Sequence, residues 1–552
     1  MRRLFLSVVG VIVCILMATP VVATGRAEQT GDARPTGGPL DRYEPPLVVT
    51  TWRGLSNRAY PDGQSFDDNV WTRAIEEQIG VVFDYVWTAP TGEFAAKINT
   101  SIAAGDLPDI MNNLNLEQYY SLSRVGRLAP QSSLVESLDV GAVSHYLDIG
   151  GGIARDMLTV GGEIYGWGRG PGLMEVRIFT ARGDWLDVVG REMPTDYDSL
   201  IDLLYAFTRE DPNQSGRDDT YGLAASSEFL GGGMPLEQFF GLHGSYPNIW
   251  VRTDQGLAFG ATLPPTKEAL RALRQLHADR VLSPEWPVLG PWTEAPDQIA
   301  RGRVGAAFGQ QWWHNWEGVL NTVDGDFGLV WEHIYPTSVS GEPVLTAIPA
   351  AVTSISAVNS AFGNPEVLIK LFNVHYVNAL SDETAEDIFY NYRTDDGTIS
   401  TFFYWNDIFG EYAIDKNPEV SRQVISALET GEDRSLRPDA QAVYENSLAY
   451  LEGLRTRDTY RNFRTFGPGG TNELAWHMLE NDLFLVDAFR GPPTTAQARY
   501  AGDLRSMRNE LFIQMVVGEL DLDTGWNQWL RYWENNGGEE WTDQVNEWYR
   551  TR

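Results

Sequence analysis

The sequence predicts an α/β protein with more than one hydrophobic core, and two observations lead there. Residues 47–51 form a short apolar run, residues 66–79 carry a helical pattern, and residues 81–85 are apolar again. Strand, helix, strand is the opening of a parallel layer, because a crossover element must return the chain to a parallel neighbour. The second observation is length. The chain has 552 residues, and a single core stops growing at roughly 250–300.

The elements follow in order. Arg2 and Arg3 precede an uncharged apolar run over residues 4–22 that ends in Val21, Val22 and Ala23. Residues 1–23 therefore read as an export signal cleaved before Thr24, after which nothing inserts stably in a membrane. The alternative is an anchor, for which the run is at the short end of the roughly 20 residues a span needs. Cys14, the only cysteine, lies within this run. Val13 stands where a lipobox needs a small residue, so Cys14 reads as part of the signal and not as a lipid anchor. Without it the mature chain has no thiol chemistry. Residues 24–45 are rich in Gly, Pro and charge, and read as a flexible tether. Farther on, Thr266 is placed to cap a helix over 267–280, with Leu270, Leu273 and Leu276 on one face. Gly518 closes a helical stretch over 504–517. There is no internal repeat.

Charge narrows the partners. Loss of Arg2 and Arg3 with the signal takes the formal charge from −33 to −35. Such acidity excludes nucleic-acid backbones and anionic lipid. It also counts against a polyuronate ligand, unless arginines gather locally to reverse it.

Residues 211–222 hold a calcium-loop pattern. Asp211, Asn213, Ser215 and Asp219 occupy positions 1, 3, 5 and 9, Gly216 occupies the sharp turn at position 6, and Arg217 offers its carbonyl at position 7. Thr220 is a further contributor. Position 12, glutamate in an EF-hand, is Gly222. A polar turn is the alternative.

The loop has a context. Arg182, Asp184, Trp185 and Leu186 precede it, then Pro194 and Thr195, then a helical stretch over 197–208. Lys97, Asn99, Gly105, Asp106, Pro108, Asp109 and Ile110 form a second block, and Pro365 with Glu366 opens a third. Phe512, Gly518, Gly537, Gly538 and the run Val545, Asn546, Glu547, Trp548, Tyr549 form a last one. In this order the blocks resemble the family 1 extracellular solute-binding proteins of carbohydrate ABC transporters, in particular the long alginate-binding and LipO-like type. The resemblance implies a two-lobed type II periplasmic-binding-protein fold, each lobe a mostly parallel sheet flanked by helices. It implies lobe one at 46–172 and 330–362, and lobe two at 173–329 and 363–552. Crossovers are expected near 170–176, 328–335 and 359–365. It also implies a monomer in a Gram-negative-type periplasm, an inner-membrane ABC permease as partner, and a structural Ca2+ in the 211–222 loop.

Catalytic motifs are missing. The seven histidines are scattered, no pair has metal-ligand spacing, and no nucleophile elbow or phosphate-binding glycine pattern occurs. No catalytic residue is assigned. The 19 tryptophans are the positive evidence. An indole can stack on the apolar face of a sugar while polar groups bond its rim. Trp312, Trp313 and Trp316 follow a segment that resembles the family's cleft-facing strand and turn, although a buried aromatic cluster is the plainer reading. Strand ends, where open sheets bind ligands, supply Trp52, Arg53, Asn113, Asn115 and Gln118. Glu175, nine residues before Asp184, matches an acidic crossover residue of maltose-binding proteins, and Glu237 and Trp405 complete the candidates. The expected function is binding of an oligosaccharide between closing lobes. A binding protein for a peptide or other non-sugar solute, and a secreted glycoside hydrolase or lyase, are the alternatives.

Overall fold

The computed structural model describes residues 37–551 except 57, 170–175, 324–329, 350–351, 382, 395–396, 410–415 and 434–435. The expected signal at 1–23 and most of the expected tether at 24–45 lie outside these. No helix among the described residues is long and apolar enough to cross a membrane.

The first strand-helix-strand unit forms as the pattern predicts. Asn69 caps the helix Val70–Ile79, with the Thr72 hydroxyl accepting from Asn69 N in return. Gly80 ends it at φ +66, and a Cβ there would sit 2.5 Å from the Tyr43 carbonyl oxygen. Glycine therefore lets the chain turn directly into the next strand. That strand, Val81–Pro90, pairs in parallel with Leu47–Leu55. The strand Ile110–Leu114 lies alongside, where the Thr51 hydroxyl donates to the Ile110 carbonyl at 2.9 Å. Antiparallel pairing carries the layer on through Thr353–Val358 to Gly166–Arg169. Trp52, Trp71, Trp167 and Trp405 are fully buried in this first core.

A second sheet runs in the order Trp331–Ile334, Arg177–Arg182, Val304–Gln310, Tyr221–Leu223. Its core recruits the helix Pro264–Ala278 and the C-terminal helices Thr495–Val517, Leu522–Asn535 and Gly538–Arg550. Smaller clusters hold three helices, Pro438–Leu451, Arg457–Phe466 and Thr471–Glu480, against it, and the helix Lys416–Thr430 packs on those three. Thr471 donates to the Gln311 carbonyl and Arg464 to the Trp331 carbonyl.

Packing corrects the expected lobe boundaries. Every residue of the helix Val367–His375 is buried, and it packs with Phe402, Trp405 and Phe409 in the first core. Residues 363–409 thus belong with lobe one. The strand Trp331–Ile334 pairs with Arg177–Arg182 and belongs with lobe two. Hydrophobic spacing shows that a helix is buried without showing in which core. The chain passes between cores along Thr346–Ile348, which pairs in parallel with Phe484–Val486. The expected crossover at 170–176 lies almost wholly outside the described residues. The helix expected at 267–280 begins instead at Pro264, whose fixed φ suits a first turn. Thr266 is therefore inside it, donating to the Gly260 carbonyl at 2.8 Å. The stretch closed by Gly518 starts nine residues earlier than expected, at Thr495.

Candidate functional site

A cavity of about 800 Å³ opens between the two cores. Asn115, Leu116, Glu117 and Met157 wall it from the first lobe, and Glu237, Asn248, Trp250, Asp487, Arg505, Arg508 and Trp541 from the second. An ion pair between Arg490 and Asp156, 3.2 Å, joins the lobes close by. Arg508 is buried. It donates to the Pro247 carbonyl and to Asn248 Oδ1, both at 2.9 Å. Burial pulls its pKa down to about 10, against the pull of Glu237. Glu237, in the first turn of the helix Glu237–Leu242, pairs with Arg177 at 3.4 Å and accepts from Asn248. Asp487 is pushed up to about 7 by burial, although the Trp250 and Phe489 amides donate to it.

The tryptophan-rich segment divides by depth. Trp313 is fully buried and packs edge-on against Trp331, ring centres 5.4 Å apart. This corrects its candidacy: the turn Trp313–Asn315 points it into the core. Trp312 and Trp316 are half-buried. With Trp292, 55% exposed, they form a cluster with ring centres 5.6–6.4 Å apart. A Cβ at Gly233 would sit 2.4 Å from the Trp316 ring, so the missing side chain at Gly233 makes room for it. Sequence reasoning missed Trp292, an isolated loop tryptophan with no periodicity around it.

His314 faces His333 across 2.6 Å, Nε2 to Nε2. One nitrogen must donate and the other accept, so only one proton lies between them. Both Nδ1 atoms are shielded from solvent and have no partner among the described residues. Burial first, then the charges of His333 and Arg464, hold His314 well below the usual histidine range; burial and Arg464 do the same to His333.

At the strand ends of lobe one the candidates part ways. Trp52 is fully buried, donates to the Asn112 carbonyl at 2.9 Å and stacks on Trp87. Trp405 is fully buried against His375, ring centres 4.4 Å apart. Both face the core and are corrected as cleft residues: their apolar area is already covered. Asn115 and Gln118 cap the helix Leu116–Arg124 reciprocally. Asn115 also reaches the cavity wall, whereas Gln118 donates to Asn99. Asn113, at φ +55, bonds Asn112 and the Ile408 carbonyl. Arg53 is buried at 1% exposure. Glu175 lies outside the described residues.

The 211–222 loop joins the helix Tyr197–Arg209 to the strand Tyr221–Leu223. Its polar side chains turn inward. Asp219 accepts from Asn213 at 3.1 Å and Ser215 at 2.9 Å, which lowers its pKa. Asp211 accepts from the amides of Ser215 and Gly216, both at 3.0 Å. Gly222 cannot carry a ligand, because a Cβ there would lie 2.1 Å from the Leu204 carbonyl oxygen. Thr220 is buried. Oxygens of Asp211, Asn213, Ser215 and Asp219 thus gather in one curled loop, a donor set suited to a hard divalent cation. No group of three or more His, Cys, Asp or Glu residues among the described residues is arranged to hold a metal ion.

No family model matches the chain. In sequence it is 24% identical over 237 residues to the polygalacturonan/rhamnogalacturonan-binding protein YtcQ of Bacillus subtilis, covering 43% of this chain and 46% of that one. It is 28% identical over 225 residues to the fructooligosaccharide ABC transporter substrate-binding protein FusA of Streptococcus pneumoniae, covering 38% and 41%. The chain thus spans less than half the length of the curated relatives it matches. Among solved structures, a human-milk-oligosaccharide (HMO) binding, ABC-transporter-associated protein of Bifidobacterium longum infantis superposes with a TM-score of 0.60 at 14% identity, covering 91% of this chain and 98% of that one. The alginate-binding protein AlgQ2, solved without its calcium ion, gives 0.56 at 14% identity over 93% and 99%. FusA and the Bifidobacterium longum infantis protein are binding proteins of ABC transporters, YtcQ and AlgQ2 bind polysaccharides, and the fold is the type II periplasmic-binding-protein fold.

The histidine pair carries a signed pH dependence. Its folded-state pKa values lie below the unfolded value of about 6.5. The unfolded chain therefore takes up protons first, and stability present above pH about 6.5 is lost as pH falls. Asp487 acts in the opposite sense, since its raised pKa favours the fold as pH falls through about 7. The readout is thus a difference. The gap in melting temperature between wild type and the His314→Gln, His333→Gln double variant should narrow from pH about 7 to pH about 5. A gap independent of pH contradicts the assignment.

Proposed function

We propose that this chain is the solute-binding component of an ABC importer and takes an oligosaccharide into the cleft between its lobes. One observation carries the reading: a cavity of about 800 Å³ with walls from both lobes, at the size of a small-molecule site. Such a ligand touches both walls and so favours the closed arrangement over the open one. Sugar-binding names among the sequence relatives support the ligand class. The partly exposed rings of Trp292, Trp312 and Trp316, which lie outside the cavity lining, suit sugar rings as an extension of the site, since a sugar presents C–H on one face and hydroxyls around the rim. The cavity itself is walled by the polar groups of Glu237, Asn248, Asn115 and Arg505. The protein works outside the cytoplasm and hands its cargo to a membrane permease, with no chemical step of its own.

The test uses the aromatic cluster. Titration with a panel of neutral and acidic oligosaccharides, followed by tryptophan fluorescence and calorimetry, should give saturable binding to at least one member. Trp312→Ala and Trp316→Ala should each weaken it by about 1–3 kcal/mol, by analogy with other aromatic stacking. Their effect on stability should be smaller than that of Trp313→Ala, a core truncation costing about 3–5 kcal/mol. Unchanged affinity in both variants removes the cluster from the site, and absence of any sugar binding removes the reading.

A calcium ion in the 211–222 loop is part of the same proposal. Asp211, Asn213, Ser215, the Arg217 carbonyl and Asp219 would hold it, pinning the strand Tyr221–Leu223 to the helix before it. Calcium at about a hundred times its Kd should stabilise the fold by about 2.7 kcal/mol. Chelation should lower the melting temperature, calcium should restore it, and Asp219→Ala should abolish the difference. A chelator with no effect on melting, together with calcium binding unchanged in Asp219→Ala, makes the loop an ordinary turn.

A further inference from the structure

Asp487 stands where the two lobes join. It follows the strand Phe484–Val486, whose partner Thr346–Ile348 carries the chain between the cores. Its own amide donates to the Ile348 carbonyl at 2.9 Å, and the Ala488 amide donates to the Trp250 carbonyl at 2.9 Å. The side chain lines the cavity together with Pro349, the residue after the partner strand. One carboxylate oxygen is committed: Oδ1 accepts from the amides of Trp250 at 3.1 Å and Phe489 at 2.9 Å. Oδ2 has no hydrogen-bond partner among the described residues, and it is not closed to solvent.

An asparagine would accept the same two amides without the cost of burying a charge. What the carboxylate adds is therefore at Oδ2. The cations around it have other partners. Arg490, whose charge acts on Asp487, pairs with Asp156 at 3.2 Å. Arg508 donates to the Pro247 carbonyl and to the side-chain oxygens of Asn248 and Asn509. Arg505 donates from Nε to the Ala501 carbonyl at 3.2 Å. Two further carboxylates face the cavity, Glu117 and Glu237, and Glu237 holds Arg177 and Asn248. Burial keeps the Asp487 carboxyl up at about 7, against its two amide donors and Arg490. The result is an oxygen fixed in direction by the bonds its twin makes, a strong acceptor when ionised and a weak one when protonated. A hydroxyl that donates to it favours the ionised form.

We propose that Oδ2 of Asp487 accepts from a hydroxyl of the bound sugar beside the crossing between the lobes, so that loading is coupled to release of a proton. The protonated acid gives its proton to solvent, and the sugar hydroxyl takes the place of that proton as the donor to Oδ2. Acidification then loosens the cargo. This rests on the sugar-binding reading above and adds a regulation to it.

The experiment is calorimetry on the intact protein with neutral malto- and fructo-oligosaccharides and with uronic-acid oligosaccharides. None of these titrates between pH about 6 and pH about 8, since free carboxylates titrate near 4. Wild-type affinity should rise roughly three- to tenfold across that range, because the free protein is protonated at its lower end and the complex is not. At pH about 7 the heat of binding should vary with the ionisation enthalpy of the buffer, a fraction of a proton passing to it per sugar bound. Asp487→Asn keeps the acceptor for both amides and has the shape of the protonated acid, so it should fold. It should bind as weakly as wild type does at the acid end, with the rise and the buffer dependence gone. Wild-type affinity that is flat with pH, or that falls as pH rises, overturns the proposal and leaves the sugar reading intact. A rise that survives in Asp487→Asn overturns the role of Asp487. Binding of none of these sugars at either pH removes the sugar reading and the proposal with it.

Discussion

Two large hydrophobic cores that do not merge set the terms for everything else in this molecule. One is closed around Trp52, Trp71, Trp167 and Trp405, the other around Trp185, Trp286 and Trp529. Each is complete, so the surfaces they turn toward one another need not be apolar. Arg508, Glu237 and Asp487 can therefore stand at the boundary, Arg508 and Asp487 held by backbone groups and Glu237 by Arg177 and Asn248. The lobes are joined by short crossings such as the paired strands Thr346–Ile348 and Phe484–Val486. A few residues that change conformation can then move one whole core against the other.

Parts of this were legible in the sequence for physical reasons. The unit from Leu47 to Pro90 was readable because capping by Asn69, termination at Gly80 and apolar alternation all point the same way. The loop at 211–222 was readable because ligand spacing is a local property. Assignment of the helix Val367–His375 to a core was not readable, since burial on every side removes the amphipathic stripe that would show what it faces. Among the tryptophans, composition could not separate the half-exposed Trp312 and Trp316 from Trp313, which a single turn directs inward. Arg508 was invisible for a related reason. In a long helix an arginine reads as surface, and only the tertiary fold brings the Pro247 carbonyl over it.

Electrostatics run at two scales here. The chain as a whole is acidic, at −33, which governs its solubility and repels polyanions at a distance. Inside, buried arginines dominate, and they are treated differently. Arg508 is satisfied by carbonyl and amide oxygens, which is how a fold tolerates a buried cation. Arg53 is held by the hydroxyls of Tyr85 and Tyr60 and by the rings of Phe66 and Tyr85.

The account as a whole turns on two lobes closing over a sugar. Small-angle X-ray scattering of the protein, alone and saturated with whichever oligosaccharide calorimetry shows to bind, measures that directly. A smaller radius of gyration and maximum dimension in the saturated state is the result the account requires. Superimposable profiles at full saturation would show that the ligand sits on one lobe and that the cleft between them does not close on it.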